Sequence, residues 1–249
     1  MTGRTLTATS MAFTDQRRRP LVLILLVIVP GYAITRSIAI TEATPRRIPL
    51  PGDLVVATTM RELHGAVMAG VAIAFVAALC GVFVMQAALQ GDRRLVIAGF
   101  RPAETVIARL IVLGVAIALV VTVSMGVTAA NFTPASWSPF ITAALLTGLI
   151  YAALGALAGA LLDKLAATFL VLFFAFTDLG IAQNPMFGNG DPRAWATLLP
   201  GYGPGRMMVD GAFSPSFHAG FPLVIALGWA VALTLAVGFV LSRAVGKRM

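Results

Sequence analysis

Few side chains in this 249-residue chain have the types and spacing that do chemistry. His64 and His218 are the only histidines and fall on different loops, which argues against a histidine metal site. Neither HExxH nor CxxC occurs. The single cysteine, Cys80, permits no internal disulfide and reads as a small core residue. Ser124 and Ser242 have no histidine and acid at matching depth, so no nucleophilic triad is expected. GxxxxGK[ST] is missing, so ATP is not bound here through a phosphate loop. No catalytic residue, metal or resident cofactor is expected. One residue stands out. Asp178 is the only carboxylate well inside a long apolar run. At the centre of a membrane helix a carboxylate costs about 2.5–3.5 kcal/mol on insertion scales. Asp178 is therefore expected to line a polar path through the spans or to pair with Arg193, Arg206 or backbone donors after its helix. Gln86, near the end of another apolar run, and Pro30-Gly31, which should kink the first, are the other candidates for a path or gate.

The elements that position these residues follow from composition. Hydrophobic residues make up 59% of the chain and charged residues 11%, against about 45–50% and about 25% in a soluble domain. That excess requires an integral membrane protein, with an all-α fold. Six spans are expected, at about 21–40, 65–89, 103–129, 139–161, 165–183 and 220–242, in one transmembrane domain over 1–249. The 53 charge-free residues between Arg109 and Asp163 are too many for one span, and NFTPASWSP (131–139) divides them. Residues 17–40 also fit a cleaved signal peptide, but the full-length apolar stretch and the polar lead-in favour a retained helix.

The net charge is +8, and sixteen of the eighteen basic residues are arginine. They flank apolar runs, which points to membrane orientation and anionic lipid rather than nucleic acid. Counted by side, twelve fall with the termini and the 90–109 and 164 turns, and six on the opposite side. This places both termini in the cytoplasm. Arginine-rich, alanine-rich usage suggests a high-GC bacterium and hence its plasma membrane.

Three segments between spans carry further signals. Asp92 is a good N-cap for a short helix over DRRLVIA (92–98), with Gly99 placed to stop it. Such a helix would expose Arg93, Arg94, Leu95 and Val96 as a docking surface, or serve only as a basic turn that fixes topology. Pro102 and Glu104 suit the first turn of the next span. Ahead of the first span, Leu6 and Phe13 make a faint apolar stripe ending in Arg17-Arg18-Arg19, suited to lying on the inner leaflet. Between the last two spans, residues 184–219 hold five prolines and six glycines together with Phe187, Trp195, Tyr202, Met207, Met208, Phe213 and Phe217. Short helices are expected at 193–199, capped by Asp191-Pro192, and at 205–213. They should lie at the outer interface or dip back among the spans. Gly155 and Gly159 form a GxxxG, extended by Gly148 and Ala152, that suits close helix packing.

DRRLVIAGFRPAETVIARL (92–110) after the second span and LLPGYGPGRMMVDGAF (198–213) before the sixth, set in six spans with both termini inside, resemble an ABC-2-type permease. That family supplies the membrane subunits of type V ABC exporters, among them many bacterial drug, lipid and polysaccharide exporters. The resemblance rests on order and spacing over nearly the whole chain. It implies a separate ABC ATPase subunit that binds ATP and Mg, and a second permease, as a homodimer or a paired heterodimer. It makes 5–19 an elbow helix, 92–98 a coupling helix (Asp92, Arg93, Arg94, Leu95, Val96) and 184–219 an outer re-entrant segment. The apolar lining favours a hydrophobic or amphipathic cargo. An ATP-independent channel or secondary transporter and a membrane scaffold that moves nothing are the other classes to weigh.

Overall fold

A computed structural model describes residues 6, 7, 9–11, 14, 20–52, 54–97, 99–187 and 192–246. The chain is 79% helical. In chain order the elements are α1 (Pro20–Ile40), a hairpin of β1 (Pro45–Leu50) and β2 (Leu54–Thr59), α2 (Met60–Ile97), α3 (Pro102–Asn131), α4 (Trp137–Leu161), α5 (Lys164–Ala175), α6 (Tyr202–Phe213) and α7 (Gly220–Gly246). A π-helical turn, Phe176–Ala182, continues α5, and a short 3-10 helix covers Ala194–Leu198. The described residues of the lead-in, 6, 7, 9–11 and 14, are helical, with Leu6 and Met11 exposed; Phe13 and 15–19 fall outside the described residues.

Among the described residues, five helices are long and apolar enough to cross a membrane: Met60–Leu89, Glu104–Asn131, Trp137–Leu161, Lys164–Ala182 and Gly220–Arg243. The described apolar part of α1, Ile24–Ile40, is shorter. A multi-pass membrane protein follows. α2 is the central post, packed against α1, α3, α4, α5 and α6. In its most apolar stretch 83% of residues are buried, against 22% in α7, which therefore lies at the periphery. The exposed faces of α5 (Leu165, Phe169, Phe173) and α7 (Phe221, Val224, Val231, Leu235) are apolar, as lipid contact requires.

α2 and α4 cross with their backbones nearly touching. A Cβ on Gly155 would strike the Ala78 carbonyl, and one on Gly81 the Ala152 carbonyl. At Gly159 it would lie 2.9 Å from the Val82 oxygen. Gly148 faces Ile117 of α3 and Ile73 of α2 instead. Small residues permit this approach, which membrane helices use in place of a hydrophobic driving force. Gly81 belongs to the same contact and is not part of the GxxxG pattern.

Helix ends follow local chemistry. Glu104 accepts the Arg101 N–H (2.9 Å) at the start of α3, beside Pro102 in the first turn. Asp163 accepts from Leu165 and Ala166 N–H (2.9 and 3.0 Å) and so caps α5. Gly99, at φ +91°, turns the chain out of α2.

One expectation is corrected here. Residues 92–97 do not form a separate helix capped by Asp92; they continue α2 without a break. No proline interrupts MQAALQGDRRLVI, and the one glycine in it costs only about 1 kcal/mol inside a long helix. The side chains of Asp92, Arg93, Arg94 and Val96 fall outside the described residues, and Leu95 is half-buried. The sequence reading assigns no element to the stretch between the first two spans. It folds into an antiparallel hairpin, registered from Pro45↔Thr59 to Leu50↔Leu54 around a turn with Gly52 at φ +80°. Ile48 and Leu50, two apart on β1, are both buried with Leu63 and Val209 against α6.

Candidate functional site

The polar interior of the bundle lies at the hairpin end, where α6 is inserted between α4, α7 and α2. Most of α6 is buried, from Gly203 and Pro204 through Arg206 to Ala212. Its glycines explain how a helix can pack on so many sides. A Cβ at Gly203 would lie 2.5 Å from the Pro222 oxygen of α7, and one at Gly211 would lie 2.6 Å from the Phe140 nitrogen of α4. The last carbonyls of α6 are also satisfied: Ser136 N–H donates to Gly211 (2.8 Å) and Ala135 N–H to Ala212 (3.0 Å). The α3–α4 turn is thus stitched to α6.

Asp178 stands at the start of α6. It sits in the π-helical turn, a distortion often found at functional positions. Its side chain is 1% exposed. Tyr151 Oη of α4 donates to Oδ2 (2.7 Å), and the Gly201 N–H donates to the same oxygen (2.8 Å). Gln183 Nε2 donates to Oδ1 (3.2 Å) and also to the Ala196 carbonyl of the 3-10 helix (2.7 Å). Position 201 must be glycine for this contact. A Cβ there would lie 2.6 Å from Asp178 Oδ1 and 2.7 Å from Tyr151 Oη. Gly201 is also the N-cap of α6, so the carboxylate faces the positive end of a helix. Of the partners expected from sequence, the backbone donor is the one found. Tyr151 and Gln183 take the place foreseen for Arg193 or Arg206. Arg193 is exposed and Arg206 is buried.

A second buried acid repeats the device. Asp210, fully buried near the end of α6, accepts the N–H groups of His218 (2.9 Å) and Ala219 (3.2 Å) where α7 begins. His218 Nδ1 lies 3.5 Å from Asp210 Oδ1 and 3.2 Å from Ser214 Oγ. Ser214 already donates its hydroxyl hydrogen to the Ser216 carbonyl (2.7 Å). Both neighbours of Nδ1 are therefore acceptors, and Nδ1 carries the proton. A catalytic Ser-His-Asp relay needs serine and aspartate on opposite ring nitrogens. Here they share one, so the arrangement is a clasp between α6 and α7 rather than a nucleophile.

The remaining candidates separate. Gln86 Nε2 donates to the carbonyls of Gly159 (2.6 Å) and Leu162 (3.0 Å), so it caps the end of α4 away from the hairpin. Pro30 and Gly31 lie within α1, which packs on α2 and α3. The structure does not bring them together with Asp178. Cys80 is buried in α2. Asp191, foreseen as a cap, falls outside the described residues, and Arg193 holds the N-cap position of Ala194–Leu198. Among the described residues no group of three or more His, Cys, Asp or Glu side chains could hold a metal. Sequence reasoning missed Tyr151, Gln183, Gly201 and Asp210 as members of these centres. A lone tyrosine in an aliphatic span and a glycine after Pro200 were the available signals.

No protein-family model and no curated protein matches this chain.

Proposed function

We propose that this chain is the membrane permease subunit of an ATP-driven ABC exporter of the ABC-2 type, with six spans and both termini in the cytoplasm. The observation that carries the reading is the continuation of α2 beyond its apolar span. The span ends at Leu89, and the helix runs on to Ile97 before Gly99 turns it toward Arg101 and α3. Eight residues of helix add about 12 Å, enough to project past the hydrocarbon boundary. A projecting rigid lever joined to the central post is what a separate ATPase needs in order to push on the bundle. The order of spans and the buried α6 ahead of α7, in the place of an outer re-entrant segment, support the same assignment.

Two cavities among the described residues inside one copy are small. The one near Gln183 has about 20 Å³ open to the centre of a water molecule and the one near Arg109 about 10 Å³. Space of that size suits one water. The cargo path therefore belongs between this chain and a second permease, and a hydrophobic or amphipathic cargo suits the apolar faces. Asp178 is bonded on both oxygens, which favours a positioning role at the outer gate over an ion-carrying one, as a secondary transporter would need. The test is the double variant Arg94→Glu with Leu95→Asp. It should leave the bundle folded, weaken binding of the ATPase and abolish transport. Retention of both the ATPase and cargo-stimulated hydrolysis would overturn the docking assignment.

A further inference from the structure

The cavity beside the Asp178 centre has a chemistry of its own. Its wall is formed by α2 (Ala66, Val67, Gly70), α4 (Thr147), the π turn (Leu179, Gln183) and α6 (Gly205, Met208, Val209). Two of these side chains are polar, and both are buried: Thr147 at 1% exposure and Gln183 at 6%. Gln183 Oε1 has no hydrogen-bond partner. Exchanging the amide oxygen and nitrogen does not repair this. The Ala196 carbonyl, 2.7 Å from Nε2, can only accept, so the nitrogen must stay where it is. The oxygen therefore needs a donor from elsewhere. Thr147 spends its hydroxyl hydrogen on the Ala143 carbonyl (2.8 Å), so its Oγ can only accept. Gln183 Oε1 needs a donor, and Thr147 Oγ can accept from the same ligand.

We propose that this cavity is a site for one bound water, which donates to Gln183 Oε1 and to Thr147 Oγ. The volume, about 20 Å³, exceeds the roughly 10–15 Å³ that one water requires. A buried amide oxygen without a partner is uncommon in folded proteins, and an ordered water is its usual remedy. The water would extend the Asp178 network from Gln183 across to Thr147 of α4, so that Gln183 is held at both ends of its amide. A monovalent cation has the same preference for acceptors, but the rest of the wall is apolar and brings no carboxylate to the cavity.

The test uses the full chain purified in detergent. Thr147→Val keeps the shape and removes the hydroxyl. The lost donation to Ala143 costs little, because that carbonyl keeps its helical N–H, so if the cavity is hydrated the melting temperature falls by about 2–4 °C for the lost bond to water. The change should be less than additive with Gln183→Met, because either substitution dismantles the same bridge. A structure with resolved solvent should show one peak at hydrogen-bond distance from both side chains. Melting of Thr147→Val unchanged or raised, strict additivity, or an empty cavity would each overturn the proposal. Unfolding in sodium chloride against choline chloride separates the cation. Equal melting supports water, and a sodium-dependent rise that Thr147→Val abolishes would overturn it in favour of a cation site.

Discussion

Replacing Asp178 with leucine and with asparagine should have unequal effects, and the geometry sets the size of each. Leucine fills the space but accepts no hydrogen bond. It strands the Tyr151 hydroxyl, the Gly201 N–H and one Gln183 N–H, all of which now point at the carboxylate. A buried donor left without a partner costs about 1–3 kcal/mol, so three cost roughly 3–9 kcal/mol. Total stability of a folded protein is about 5–15 kcal/mol, and leucine should bring the chain close to unfolding. Asparagine can keep an oxygen where Oδ2 stands and retain the bonds from Tyr151 and Gly201. Its amide nitrogen then meets Gln183 Nε2, donor against donor, and Gln183 cannot turn over because of the Ala196 carbonyl. One failed contact costs about 1–3 kcal/mol, or roughly 2–12 °C of melting temperature at about 2–4 °C per kcal/mol. Tryptophan fluorescence during heating of the purified proteins measures both. The expected order is wild type, then asparagine, then leucine with little folded protein recovered. Leucine melting within about 2 °C of wild type would refute the view that Asp178 holds α6 in place.

Three further outcomes follow. Gly155→Ala forces a methyl into the Ala78 carbonyl and should lower stability by about 1–3 kcal/mol or more, whereas Gly114→Ala, with nothing within 4 Å, should be neutral or stabilising; thermal unfolding of both compares them directly. Gln86→Leu leaves the end carbonyls of α4 without their donor and should cost about 1–3 kcal/mol, seen in the same assay, while Gln86→Glu should not rescue it, since a carboxylate cannot donate to a carbonyl. In a Cys80→Ser background, a thiol reagent that cannot cross the membrane should label a cysteine at Trp137 from outside and not one at Lys164; the reverse pattern would invert the proposed topology.

Five of the apolar spans expected from sequence coincide with long helices, because hydrophobic runs and charged flanks are local signals, but α2 begins five residues before and ends eight residues after the expected 65–89. Sequence reasoning placed 205–213 as a helix, and Tyr202–Phe213 is one. It failed where the outcome depends on partners far along the chain. Residues 45–59 pair as a hairpin because α6 offers Val209 as a floor for Ile48 and Leu50, and nothing within the segment itself reveals that floor. Asp92 looked like a cap because aspartate favours that position, yet propagating an existing helix is cheaper than starting a new one. Asp178 was visible as an anomaly of burial, while its partners were not. Tyr151 is 27 positions earlier and Gly201 is 23 later, and both are brought in by tertiary packing. The clasp of Asp210 with the first residues of α7 was hidden for the same reason, since an acid at the end of one helix gave no sign of capping the next.

The central claim is that a separate ATPase drives this chain from the end of α2. Its most direct measurement is affinity purification of the unmodified protein from its native membrane in mild detergent, followed by identification and counting of what comes with it. A protein carrying a phosphate-loop ATPase motif is expected, present at one copy per copy of this chain and lost from the Arg94→Glu, Leu95→Asp double variant. Recovery of the well-folded chain with no ATPase at all would contradict it and leave the channel or scaffold reading in its place.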